Sequence, residues 1–169
     1  MLSPSIPIPD SVLPIAAAAM PDTGQTEQVH GTAVAINGKG VLLLGDAGAG
    51  KSDLALRLID RGARLVADDR VDLVHEGGRI VMSAPGAIAG LLEVRGLGIF
   101  RLEPAAPAPL ALAVRLVAHI FIERFPDDIA QTFLGLSIAH MRVDPFEASA
   151  PIKIEWALDG VRVMPQMAK

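Results

Sequence analysis

Cysteine and tyrosine are absent from this 169-residue chain, tryptophan occurs once, and lysine stands only at positions 39, 51, 153 and 169. Without cysteine there is no disulfide, thiolate metal site, thiol nucleophile or redox switch. An aromatic content of 4% excludes a stacking track for single-stranded nucleic acid. The formal net charge of −4 lacks the basic excess of a general nucleic-acid binder. No apolar run reaches about 18 residues free of proline, glycine and charge, so no membrane span is expected and the chain reads as cytoplasmic. What remains is 51% hydrophobic and 20% charged, an ordinary balance for one well-cored domain.

Residues 1–27 differ from the rest. They hold five of the 13 prolines and neither Lys nor Arg. Val12–Met20 has the apolarity of a signal-peptide core but no positive segment ahead of it. The stretch therefore reads as a flexible Pro/Ala-rich arm, with residues 28–169 as the folded domain.

Within the domain, Val29–Ile36 is β-rich and ends at Asn37-Gly38, a hairpin signal, and Gly40–Leu44 is a short apolar strand. Lys51–Asp60 has helix spacing, with Leu54, Ala55, Leu58 and Ile59 on one face and Gly62 at the C-terminal cap. Arg64–Ala67 is the next strand, and Val71–Val74 and Arg79–Met82 flank Glu76-Gly77-Gly78 as a second hairpin. Leu97–Leu102, Ala111–Ile122, Thr132–Val143 and Ile152–Leu158 carry strand chemistry, while Ile129–Leu136 also has the makings of a short helix. The expected fold is α/β, a strand-rich mixed sheet with few helices.

Residues 45–52 read Gly-Asp-Ala-Gly-Ala-Gly-Lys-Ser, the G-x-x-x-x-G-K-[ST] phosphate loop without a mismatch. Consecutive backbone N–H groups wrap a polyphosphate only where side chains stand aside, which suits Gly45, Gly48 and Gly50. The helix opening at Lys51 points its N-terminal dipole at the anion. Asp46, Ala47 and Ala49 complete the cradle, Lys51 adds a point charge, and the Ser52 hydroxyl is a magnesium ligand type. The preceding apolar strand and the following amphipathic helix are the context that this motif requires.

Asp68-Asp69 end the strand Arg64–Ala67, and ligand sites of α/β sheets lie at strand carboxyl ends. Two adjacent carboxylates there, Asp68 and Asp69, can divide the work, one holding a metal ion through water and the other accepting the proton of a nucleophile. Asp-Asp-Arg is also ordinary turn chemistry; the phosphate loop one helix upstream favours function. A lone histidine such as His30 is more often structural than catalytic. Arg57, Arg61 and Arg64 read as solvated, and His75, His119 and His140 share no ligand-like spacing.

The stretch VHGTAVAINGKGVLLLGDAGAGKSDLALRLIDRGARLVADDRVDL resembles the core of HPr kinase/phosphorylase, and Leu91-Leu92-Glu93-Val94-Arg95-Gly96-Leu97-Gly98-Ile99 resembles that family's signature segment. The short chain is most similar to the alphaproteobacterial form, which lacks the extra N-terminal domain. The resemblance implies a P-loop kinase domain of phosphoenolpyruvate-carboxykinase-like build. It implies transfer of the γ-phosphoryl group from Mg·ATP to a serine of HPr, a small phosphocarrier protein, within control of a phosphotransferase system. By the same resemblance Asp69 is the acid/base, His30 and Lys51 are active-site residues, and Ser52 and Glu93 are magnesium ligands. Arg124 is the best positional match to a functional arginine before the late strands.

Several segments depart from the family pattern. The family's late basic loop, linked to dephosphorylation, is matched by Asp144–Ala150, which has two acids and no arginine. Such a loop repels incoming phosphate, so phosphorolysis is not carried over. The C-terminal helical extension is expected to be short, ending at Lys169, and homo-oligomerisation is kept without a hexamer. Two other readings share the phosphate loop: a kinase for a small hydroxyl compound such as serine, and an ATP-binding regulatory sensor without turnover. Asn-Lys-x-Asp, the guanine-reading motif, does not occur.

Overall fold

The computed structural model describes residues 24–160, so most of the expected arm at 1–27 lies outside the described residues. The first strand starts earlier than the sequence suggests: β1 is Thr26–His30 and β2 is Thr32–Ile36, with Gly31 dividing the β-rich run Val29–Ile36. Then come β3 (Lys39–Leu44), α1 (Lys51–Asp60), β4 (Arg64–Ala67), β5 (Arg70–Glu76) and β6 (Arg79–Ser83). Both hairpin turns form as the sequence indicates. Asn37 and Gly38 have φ of 50° and 78°, and Gly77 and Gly78 have 57° and 73°, the left-handed pairs that a two-residue turn demands.

The second half is β7 (Leu91–Val94), β8 (Gly98–Arg101), β9 (Ala108–Leu116), β10 (Ala130–Phe133), β11 (Leu136–Val143) and α2 (Ala150–Asp159). Three expectations are corrected here. Ile152–Leu158 is helix, not strand: Pro151 stands in its first turn, where its missing N–H costs nothing, and Ala150, Pro151 and Ile154 make its buried face. Ile129–Leu136 starts no helix; β10 runs into a Leu134-Gly135 turn, both with positive φ, and returns as β11. Ala111–Ile122 is strand only to Leu116, followed by a 3-10 turn at His119–Phe121.

Two sheets share the long strand β9. The start of β9 pairs antiparallel with β6, which continues to β5 and β1. The rest of β9 pairs parallel with β3 on one side and β11 on the other, and β3 leads on to β2 and β4. Side chains of β3 alternate between two cores. Val41 and Leu43 join Leu54, Leu58 and Ile154 beneath the helices, whereas Leu42 and Leu44 join Leu73, Ile80, Met82 and Phe133 between the sheets. The strands β7 and β8 form a separate hairpin.

This topology makes the site. In the order β1-β5-β6-β9-β3-β2-β4, strands β1 and β2 are far apart, as are β4 and β5. The chain nevertheless joins β1 to β2 through Gly31 alone and β4 to β5 through Asp68-Asp69 alone. Both steps between the sheets lie side by side, linked by Gly31 N–H donating to the Asp69 carbonyl at 3.1 Å. Glycine is required at 31, because a Cβ there would stand 2.9 Å from the Leu43 carbonyl oxygen.

Candidate active site

The phosphate loop fills the link between β3 and α1, as its sequence context requires. Gly50 caps α1 with φ 96°, a left-handed conformation that turns the following N–H groups outward. The Lys51 side chain folds back over the loop and donates to the carbonyls of Gly45 and Asp46, each at 2.8 Å. Burial pushes its ammonium below the usual lysine range, and Asp46, Asp68 and Asp69 pull it back toward the charged form.

Asp68 is buried and held from three sides. Oδ1 accepts from Thr32 Oγ1 and from Ser52 Oγ, both at 2.9 Å, and Oδ2 accepts from the Glu93 backbone N–H at 3.1 Å. One carboxylate thus ties together β2, the start of α1 and the β7–β8 hairpin. Asp69 is its opposite: its side chain is 66% exposed, and His30 Nδ1 lies 3.4 Å from Oδ1. Arg70 Nε stands 3.8 Å from the other oxygen. The Asp69 backbone has φ 69°, a conformation that a non-glycine residue adopts only where its surroundings impose it.

A cleft of about 580 Å³ gathers His30, Ala47, Gly48, Gly50, Lys51 and Ser52 with Asp68, Asp69 and Glu93. Of the remaining sequence-derived residues, Gly45, Asp46 and Ala49 belong to the same loop without lining the cleft, with the Gly45 and Asp46 carbonyls bound by Lys51, whereas Arg124 stands apart. Arg124 is exposed, does not line the cleft, and rests its guanidinium 5.4 Å from the centroid of its neighbour Phe125. Three residues escaped the sequence reading. Thr32, which fixes Asp68, sits in an ordinary β-branched run and carries no motif. Phe146 lines the cleft from the late loop, whose charge alone drew notice. Arg57, taken for a solvated residue, donates to the carbonyls of Pro145 and Glu147 and pins that loop to α1. Outside the cleft, ligand-type atoms of His119, Asp144 and Glu147 lie within 4.8 Å of one another, but Lys153 already neutralises Glu147.

A strand, a glycine loop and a helix facing paired carboxylates across a strand-rich mixed sheet make up the P-loop kinase fold of phosphoenolpyruvate-carboxykinase-like type. The solved Hpr(Ser) kinase/phosphatase from Coxiella burnetii matches with TM-score 0.69 and 27% identity, covering 79% of this chain and 88% of that one. Residues 22–105 match the model of the HPr Serine kinase C-terminal domain, and the chain belongs to that family. The HPr kinase/phosphorylase of Clostridium beijerinckii is 39% identical over 119 residues, 69% of this chain and 39% of the relative. That of Lacticaseibacillus casei is 51% identical over 76 residues, 44% of this chain and 24% of the relative. The chain thus spans well under half the length of these relatives. No described helix is long and apolar enough to cross a membrane.

Proposed function

We propose that this chain is a cytoplasmic Mg·ATP-dependent protein-serine kinase whose acceptor is HPr or a related phosphocarrier. The observation that carries the reading is the placement of Asp69 and Lys51 on the walls of one cleft. Family membership and the names of the relatives add the acceptor class. The exposure of Asp69 suits a serine presented from the surface of another protein better than an enclosed metabolite.

In this reading the loop amides and Lys51 hold the polyphosphate, and the positive end of α1 faces the charge that moves in transfer. Asp69 accepts the proton of the incoming serine hydroxyl, oriented by His30 beside it. The γ-phosphorus–oxygen bond to ADP breaks as the bond to the serine oxygen forms, and ADP leaves. The donor set fits a magnesium ion: the Ser52 hydroxyl and the Asp68 carboxylate are hard oxygens 2.9 Å apart, and Glu93 adds a carboxylate in the same cleft. When bound, that ion neutralises phosphate charge. Phosphorolysis is left out of the proposal, because the late loop brings Glu147 rather than arginine.

The test is incubation with Mg·ATP and the phosphocarrier proteins of the source organism, followed by intact-mass measurement. One added phosphate on one carrier is expected; none on any carrier sinks the acceptor assignment. Asp69→Asn should abolish transfer while leaving ATP affinity within about threefold, since the carboxylate acts on the acceptor proton. Parallel loss of both would remove Asp69 from the acid/base role.

A further inference from the structure

The phosphate loop accounts for the tail of a nucleotide and leaves its base unexplained. One aromatic ring on the cleft wall also has no other task. Phe146 is 75% exposed, yet the loop that carries it is firmly held. Pro145 before it is buried, the Phe146 N–H donates to Asp144 Oδ1 at 3.0 Å, and Arg57 grips the carbonyls of Pro145 and Glu147 on either side. Exposing a ring of this size to water is unfavourable, and fixing it in place costs conformational freedom as well. A ring carried on so firmly held a backbone is suited to receive another flat apolar surface.

Its position says which one. Two ring carbons lie 3.5 Å from where a Cβ on Gly50 would stand, so the ring sits directly against the last glycine of the phosphate loop. Leu56, one turn beyond Ser52 on α1 and 37% exposed, lines the same cleft. The acceptor side is marked instead by Asp69, on one connection between the sheets, and His30, at the end of β1 beside the other.

We propose that Phe146, with Leu56, is the stacking platform for the base of the bound nucleotide. The inference rests on the ATP reading above and deepens it. Stacking reads the face of a base and not its hydrogen-bonding edge, so the platform accepts adenine and guanine with similar affinity. That agrees with a sequence lacking Asn-Lys-x-Asp.

The experiment compares calorimetric affinities of ATP, GTP and inorganic tripolyphosphate, all with magnesium, for the full chain and for Phe146→Ala and Phe146→Trp. Phe146→Ala should lose about tenfold for ATP and for GTP and keep tripolyphosphate affinity unchanged, as loss of a stacked base requires. Phe146→Trp should restore ATP affinity. Equal losses for ATP and tripolyphosphate would mean that the ring supports the loop and not the base, and would overturn the proposal. Unchanged ATP affinity with a raised KM for the phosphocarrier would overturn it in favour of an acceptor contact. Failure of the unmodified chain to bind ATP or tripolyphosphate would overturn the nucleotide reading itself, which separates the two failures.

Discussion

Two buried groups set the chemistry of the cleft, Lys51 and Asp68, and each is constrained by a different neighbour. Lys51 is drawn below the ordinary lysine range by burial. Its charge is therefore lost at a lower pH than that of an exposed lysine, and phosphate affinity should fall on the alkaline side in the same window. Stability moves the other way. The unfolded chain binds the extra proton there, so neutralising the buried amine favours the folded state as pH rises. ATP affinity and thermal midpoint measured against pH should diverge; a parallel alkaline fall of both would contradict this account of Lys51. Asp68 depends on donated hydroxyls. Ser52→Ala removes one of them and a metal-type oxygen together, so the magnesium concentration for half-maximal transfer should rise roughly tenfold. Ser52→Thr keeps the hydroxyl and should remain near the unmodified chain. If the alanine variant lost turnover at an unchanged magnesium requirement, Ser52 would not be part of the metal-binding set.

At the scale of elements, the parts nearest the phosphate loop are legible in sequence because chemistry and periodicity coincide there. Val41–Leu44, the glycines of 45–50 and the helix face Leu54, Ala55, Leu58 each state the same arrangement. The segment 150–159 shows the opposite case. Ile152, Ile154, Trp156 and Leu158 alternate with Lys153, Glu155 and Ala157 in the period of a strand. Burial instead follows Ala150, Pro151 and Ile154, leaving Trp156 74% exposed. Apolar identity therefore misreported burial, and Pro151 was the better signal. The helix is also tied down by a long-range pair: Arg61 donates to both oxygens of Glu155 at 2.8 and 2.7 Å. These bonds hold the Glu155 carboxyl below the usual glutamate range. The pair's contribution is present above the pKa of an unfolded glutamate and is lost as pH falls through the folded value. Glu155→Gln should lower the thermal midpoint at neutral pH, with the difference closing under acid. A difference that persists at a pH below both values would assign the effect to packing of α2 instead.

For the molecule as a whole, the decisive feature is where the chain crosses between its two sheets. Composition and local pattern give no hint that β4 and β5, neighbours in sequence, lie near opposite ends of the strand order. The crossing is visible only once β9 is seen to belong to both sheets. Its consequence is local to the cleft: the exposed carboxylate of Asp69 and the imidazole of His30 sit at the two links that cross between the sheets, locked together through the Gly31 N–H. Strain at Asp69 is thus maintained by the global topology and not by its immediate sequence. Gly31→Ala tests this directly. Its Cβ would meet the Leu43 carbonyl at 2.9 Å and Leu42 Cδ1 at 3.3 Å, so the β1–β2 link must shift, at a cost of about 1–3 kcal/mol in stability. Because the shift carries His30 and the backbone partner of Asp69 with it, phosphoryl transfer should fall more than about tenfold while ATP affinity, set by β3 and α1, stays nearly unchanged. A variant that loses stability but transfers phosphate at the original rate would show that the crossing serves folding alone.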